Sequence, residues 1–175
     1  MIISAIEFIR TSKTGIKIFD TRSPSEFNHA HFPGAFNLPL LNDDERKIIG
    51  TTFKKEGREK AIIKGFDLVG PKFSEYIKTA IKVVPEKQVL IYCWRGGLRS
   101  NIMAWLLQTA GFKVTLLKGG YKAYRKWVLE SLKEHKKVIV IGGKTGCGKT
   151  EILNHLKKKL QQVIDLEKLA SHRGS

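Results

Sequence analysis

The sequence predicts an α/β fold, a mostly parallel sheet with helices on both faces, followed by the start of a second α/β unit. Three observations carry this. Short apolar runs at residues 16–19, 35–38, 89–92 and 114–117 alternate with longer stretches of helical apolar spacing, the pattern of strand–helix crossovers. Glycines and prolines punctuate the joins between them. At Lys136-Lys137 the pattern restarts with a new apolar run, a glycine-rich loop and another helical stretch.

In order along the chain, Ser4 caps a short helix reaching Ile9, and residues 16–19 form a buried strand ending at Asp20. Ser23-Pro24-Ser25-Glu26 is a helix start, with Ser23 as the cap, Pro24 in the first position and Glu26 three residues after the cap. His31-Phe32-Pro33-Gly34-Ala35 turns into the strand 35–38. Residues 41–84 read as helical with breaks at Gly50, Gly57, Gly65 and Gly70-Pro71; Phe73, Ile77, Ala80 and Ile81 lie at helical spacing. Strand 89–92 feeds Cys93. A helix over 99–110 is ended by Gly111, with Ile102, Met103, Leu106 and Leu107 as its apolar face. Strand 114–117, a Gly119-Gly120 turn and an amphipathic helix over 121–135 follow, the last with Tyr124, Trp127, Val128 and Leu132 inward. The second unit reads as strand 138–141, helix 149–160 and strand 163–165. These readings divide the chain into a first domain at 1–135 and an incomplete second at 136–175, since roughly 40 residues are fewer than such a domain needs. A fragment, or one half of a split protein, is the expectation.

Lys and Arg outnumber Asp and Glu by 32 to 16, a net charge of +16. An enzyme of small neutral metabolites has no need of that excess, and a polyanion such as nucleic acid is the expected partner. Scattered lysines solvating helix faces are the competing explanation. The chain has no long uncharged apolar run and no signal-peptide pattern at its start, so neither a membrane partner nor export is expected. Its two cysteines, Cys93 and Cys147, both lie in glycine-rich loops, which fits thiol chemistry in a reducing cytoplasm.

The densest chemical signal is residues 88–100, QVLIYCWRGGLRS. A cysteine at a strand end, two glycines and an arginine opening a helix build an anion cradle around a sulfur. Loop N–H groups turn inward, the helix N-terminus adds partial positive charge, and such surroundings favour the thiolate. Cys93 is the candidate nucleophile; Arg95, Gly96, Gly97 and Arg99 are the candidate anion-binding residues. Trp94 serves either to stack on a base or to pack the loop. A second motif, Gly143-Lys-Thr-Gly146-Cys-Gly148-Lys149-Thr150, satisfies G-x-x-x-x-G-K-[ST] between an apolar run and a helix. Its glycines let the backbone wrap phosphates, Lys149 neutralises them, and Thr150 can ligate Mg²⁺. Asp165 reads as a strand end rather than as a metal ligand, and no protein metal site is expected.

Asp20-Thr-Arg22, His31-Phe-Pro-Gly-Ala35 and Cys93…Arg99, in that order, resemble the rhodanese family. The resemblance implies a rhodanese-like parallel-sheet domain in which Asp20, Arg22 and His31 are structural. With the fused P-loop, the octapeptide Cys93-Trp-Arg-Gly-Gly-Leu-Arg-Ser100, the Asn37-Leu-Pro-Leu-Leu41 stretch and the C-terminal Asp165-Leu-Glu…His172-Arg-Gly-Ser175, the chain resembles the tRNA 2-selenouridine synthases. That family replaces sulfur by selenium in the 2-thiouridine at the tRNA wobble position, with selenophosphate as donor and a geranylated intermediate. The resemblance implies that Cys93 carries selenium and that tRNA is the partner. No cofactor is tightly bound, and the P-loop takes geranyl diphosphate or a nucleotide. Ala30 stands where the family has glycine.

Five residues separate Cys93 from Arg99, one more than in simple sulfur-transferring rhodaneses and as many as in cysteine phosphatases. A phosphatase or sulfurtransferase therefore stays open as an alternative, as does a non-catalytic tRNA-binding half that works with a separate C-terminal P-loop half.

Overall fold

The computed structural model describes residues 1–134, 137–159 and 162–169. It comprises two compact units, Met1–Glu134 and His135–Ser175.

The first unit is a five-stranded parallel sheet in the order β1-β5-β4-β2-β3. Its strands are β1 (Ile2–Ile3), β2 (Lys17–Asp20), β3 (Ala35–Asn37), β4 (Gln88–Tyr92) and β5 (Lys113–Leu117). The helices are α1 (Ala5–Ser12), α2 (Pro24–His29), α3 (Asp43–Glu56), α4 (Arg58–Val69), α5 (Phe73–Val83), α6 (Leu98–Thr109) and α7 (Gly120–Ser131), with a 3₁₀ turn Gly70–Lys72 before α5. The central strand β4 registers Asp20 of β2 opposite Tyr92 and Val114 of β5 opposite Val89.

Alternation along β4 splits the core into two layers. Val89 and Ile91 join Phe19, Tyr76, Ala80, Met103 and Leu107 on one face. Leu90 and Tyr92 join Phe8, Phe32, Leu117 and Tyr121 on the other. Each of the four β4 residues Val89, Leu90, Ile91 and Tyr92 is at most 1% exposed. Side chains buried to this degree contribute about 1.5–3 kcal/mol each, so Cys93 is held at the end of the most firmly anchored strand.

Most expected elements form, and the differences have physical causes. Gly50 and Gly65 do not break helices: α3 and α4 run through them, because a glycine costs a helix interior only about 1 kcal/mol and tertiary packing covers that. The real break is Gly57, at φ +89°, a conformation that an L-residue resists. Leu132 lies beyond α7 and is exposed rather than inward. The short β1, hydrogen-bonded beside β5, had no legible pattern in two residues. Gly111 does end α6, at φ +84°, with its N–H donating to the Gln108 carbonyl and the Phe112 N–H donating to the Leu107 carbonyl.

In the second unit, helices α8 (Lys149–Lys158) and α9 (Leu166–Leu169) form, but the expected strands at 138–141 and 163–165 do not. A parallel strand needs a neighbouring ladder to satisfy its N–H and C=O groups, and the described residues of this unit contain no strand. Val138, Ile139 and Val140 are accordingly 71%, 92% and 85% exposed. The expected His172–Arg173–Gly174–Ser175 signature lies outside the described residues. Among the described residues no helix is long and apolar enough to cross a membrane.

Candidate active site

Cys93 directly follows β4 and is buried. The chain then curls back on its sulfur. The Gly97 N–H donates to Cys93 Sγ at 3.2 Å, and Ser100 Oγ, in the first turn of α6, also lies 3.2 Å from it. Ser100 Oγ donates to the Gly97 carbonyl at 3.0 Å. The Cys93 and Trp94 carbonyls point away from this centre and accept from the Tyr121 and Lys122 N–H groups at the start of α7. Among the described residues the N–H groups of Arg95, Gly96, Leu98 and Arg99 have no acceptor. The Gly97 N–H thus meets the sulfur just ahead of a twelve-residue helix, whose N-terminus favours negative charge.

Two glycine contacts set this curl. Gly96 is at φ +66°, and a Cβ on it would stand 3.0 Å from both Leu117 O and Gly119 N. Gly120 is at φ +61°, where a Cβ would run into the Cys93 carbonyl and stand 2.5 Å from Gly96 N. The Gly119-Gly120 turn is thus the outer wall of the cysteine loop.

Arg99 does not turn onto Cys93. Its Nη1 donates to Glu26 Oε2 on α2 at 2.6 Å, and Arg46 Nε of α3 lies 3.1 Å from the same oxygen. Burial opposes ionisation of Glu26, but the Arg99 hydrogen bond and charge, the Ser23 N–H and Arg46 together outweigh it and hold its carboxyl below the usual range. Arg95 is exposed on the loop.

Beneath the loop, Arg22 is 1% exposed and forks onto Asp20, with Nη2 at 2.6 Å from Oδ2 and Nε at 3.0 Å from both oxygens. Nη2 also donates to the Ala30 carbonyl at 2.8 Å. Its guanidinium lies 4.1 Å from the Tyr121 ring centroid and 5.7 Å from that of Trp94, so Trp94 packs the loop base. His31 stacks on Phe27 and bonds the Phe27 carbonyl, outside the loop.

In the second unit Gly143, Gly146, Gly148, Lys149 and Thr150 lie in one loop leading into α8. Gly146 and Gly148 have φ of +81° and +82°. Lys149 Nζ donates to the Gly143 and Lys144 carbonyls at 2.9 and 3.0 Å, and a Cβ on Gly143 would stand 2.6 Å from Cys147 Sγ. Thr150 is exposed at the start of α8. These residues fit a phosphate chain: a glycine-wrapped loop, an ammonium that can leave its carbonyl partners, and a helix N-terminus.

The structure thus brings Cys93, Gly96, Gly97 and Arg99 into one loop and keeps the second motif in its own unit. Sequence reasoning missed Ser100 and Gly120, and read Glu26 only as a capping residue. Ser100 had a signal in its place one residue after Arg99; the Glu26–Arg99 pairing, across 73 positions, had none.

Residues 5–127 match the rhodanese-like domain family, and residues 136–175 match a family described as the tRNA 2-selenouridine synthase AAA domain. Among curated proteins, the chain is 44% identical to a tRNA 2-selenouridine synthase of Sulfurovum sp., over 90% of the chain and 44% of that protein. It is 37% identical to the tRNA 2-selenouridine synthase of Hydrogenovibrio crunogenus, over 100% of the chain and 50% of that protein. The chain therefore spans about half the length of these relatives. Among solved structures it resembles the N-terminal domain of a putative ATP/GTP binding protein from Clostridium difficile 630, with a TM-score of 0.68 and 35% identity. That match covers 74% of the chain and 99% of the other.

Proposed function

The chain belongs to the rhodanese-like domain family, and from that membership we propose that it supplies the selenium-carrying half of a tRNA 2-selenouridine synthase. In this reading Cys93 is the catalytic residue. Selenide-level selenium leaves selenophosphate as phosphate is released, and is captured on the Cys93 sulfur as a selanyl-sulfide with a disulfide as the two-electron oxidant. It passes to C2 of the 2-thiouridine at the tRNA wobble position as the thiols so formed return the two electrons. The loop N–H groups from Arg95 to Leu98 cradle the phosphate end of selenophosphate, with Arg95 and Arg99 adding positive charge. The observation that carries the reading is the Cys93 sulfur held by Gly97 N–H and Ser100 Oγ at the mouth of this cradle.

Residues 1–135 form the selenium-transfer domain. Residues 136–175 begin a phosphate-binding domain in which Gly143, Gly146, Gly148, Lys149 and Thr150 take a diphosphate, as of geranyl diphosphate, or a nucleotide. The excess positive charge supports tRNA as partner, and two unpaired cysteines in glycine-rich loops support work in a reducing cytoplasm. A separate C-terminal P-loop half is a further partner in this reading.

One observation favours a second reading: the five residues between Cys93 and Arg99 also suit a phosphate-ester cradle. Incubation with selenophosphate plus a small disulfide as oxidant, and separately with p-nitrophenyl phosphate, separates the two. Selenium retained by the wild-type chain and absent from Cys93→Ala supports transfer. Rapid p-nitrophenyl phosphate turnover abolished by Cys93→Ser makes the protein a phosphatase.

A further inference from the structure

One oxygen of Glu26 holds more donors than it needs. Its Oε2 receives Arg99 Nη1 at 2.6 Å, Arg46 Nε at 3.1 Å and the Ser23 N–H at 3.1 Å, whereas Oε1 is met by Arg99 Nη2 at 3.5 Å. A carboxylate oxygen has about two lone pairs to offer. Glu26 therefore stays paired, through Arg46 and Ser23, when Arg99 leaves it.

Arg46 is set in place independently of Arg99. One turn before it on α3, Asp43 accepts from Ser25 Oγ at 2.5 Å and from the Ser25 N–H at 3.1 Å, which fastens the first turn of α3 to the start of α2. Glu26 is 13% exposed, Arg99 23% and Arg46 47%. Two guanidinium charges thus share one carboxylate beside the cysteine loop. Arg99 also precedes Ser100, whose Oγ lies 3.2 Å from Cys93 Sγ, so its side chain is rooted at the cradle. A phosphate group bound there is a second fork acceptor for Arg99, with more negative charge than a carboxylate.

We infer that Glu26 and Arg46 are positioning residues that set the anion affinity of the cradle by exchange: an entering phosphate takes Arg99 from Glu26, and Arg46 keeps the Glu26 carboxylate paired. The inference rests on the proposed reading of the loop as a phosphate cradle and deepens it by naming what governs Arg99. Removing the two residues acts in opposite directions. Without the Glu26 carboxylate, Arg99 has no ion pair to give up, and phosphate binds more tightly. Without Arg46, departure of Arg99 strips a part-buried carboxylate of its second guanidinium, and phosphate binds more weakly.

Inorganic phosphate is the probe. Its binding is read as protection of Cys93 from iodoacetamide in the 175-residue chain, with the tryptic Cys93 peptide quantified by mass spectrometry. Cys147, in the phosphate loop of the second unit, falls in another peptide and is counted separately. The midpoint phosphate concentration is expected to fall about fivefold in Glu26→Gln and to rise roughly threefold in Arg46→Met. Loss of a residue that only braces the fold does not tighten binding. A general field effect is separated by the double variant Glu26→Gln/Arg46→Met. Exchange places its midpoint within about twofold of Glu26→Gln alone, because Arg46 acts only through Glu26; a field effect adds the two shifts. If Glu26→Gln fails to fold, the Nε resonances of Arg99 and Arg46 in the wild type decide, since exchange moves both on addition of phosphate. No protection by phosphate, unchanged midpoints in the single variants, additive shifts in the double variant, or unmoved arginine resonances overturn the inference. Selenium loading of wild-type Cys93, with a small disulfide as oxidant, is measured in parallel. Opposite midpoint shifts with no selenium on Cys93 leave the exchange standing and remove the selenium-transfer reading; selenium on Cys93 without those shifts does the reverse.

Discussion

Arg99 Nη1 lies 2.6 Å from Glu26 Oε2, so the arginine that closes the cysteine loop is anchored to the helix after β2 rather than to the sulfur. Glu26 also receives Arg46 and the Ser23 N–H, and it thereby ties α2, α3 and α6 around the loop. The pairing holds the guanidinium on Glu26.

This anchor has a pH signature. The folded-state carboxyl of Glu26 lies below its ordinary value, so its contribution to stability is fully present above that value and is lost as pH falls through the folded one. Glu26→Gln should cost about 2 kcal/mol near neutral pH, as the loss of a part-buried charged hydrogen bond. The difference from wild type should shrink in acid. Urea denaturation at pH 7 and pH 3.5 measures both; an equal gap at the two values contradicts the assignment.

Arg22 serves the fold rather than the chemistry. It is buried with Asp20 and cannot be reached by a substrate bound in the loop. Arg22→Met leaves the Asp20 carboxylate buried and unpaired and should cost about 3–5 kcal/mol; the double variant Asp20→Asn/Arg22→Met should recover part of that loss. Denaturation midpoints of the two variants test it.

Ser100 Oγ can donate either to the Gly97 carbonyl or to Cys93 Sγ, and a thiolate favours the second. Ser100→Ala should slow iodoacetamide alkylation of Cys93 at pH 7 about tenfold, within the range for a hydrogen bond to a charged group. Ser100→Thr should restore most of the rate. An unchanged rate in Ser100→Ala removes the hydroxyl from the account.

Gly120→Ala should destabilise the chain by about 3 kcal/mol, from strained dihedrals and displacement of the Cys93 carbonyl. Gly34→Ala shares a positive φ of +75° but has nothing within 4 Å, and should cost only about 1 kcal/mol. Similar losses in both would show that the close approach of Gly120 to the loop does not matter.

The strands of the first unit were legible because the runs at β4 and β5 are apolar and bounded by turn residues, Pro85 and Gly96 around β4, Gly111 and Gly119 around β5. The cysteine loop was legible because its residues are contiguous. What the sequence hid is non-local. A glycine inside a helix, such as Gly65, looks like one that ends a helix, such as Gly57, until packing decides its φ. The apolar run at 138–141 reads as a strand, yet it has no ladder partner among the described residues of its unit. Glu26 meets Arg99 only because the parallel sheet brings the start of α2 beside the start of α6.

Whether Cys93 carries selenium is decided by mass spectrometry of the intact chain after incubation with selenophosphate and a small disulfide as oxidant, without reducing agent. The expected result is a gain matching one selenium atom, mapped to the peptide that holds Cys93, kept in Cys147→Ala and lost in Cys93→Ala. No gain on the wild-type chain, or a gain that survives Cys93→Ala, contradicts it.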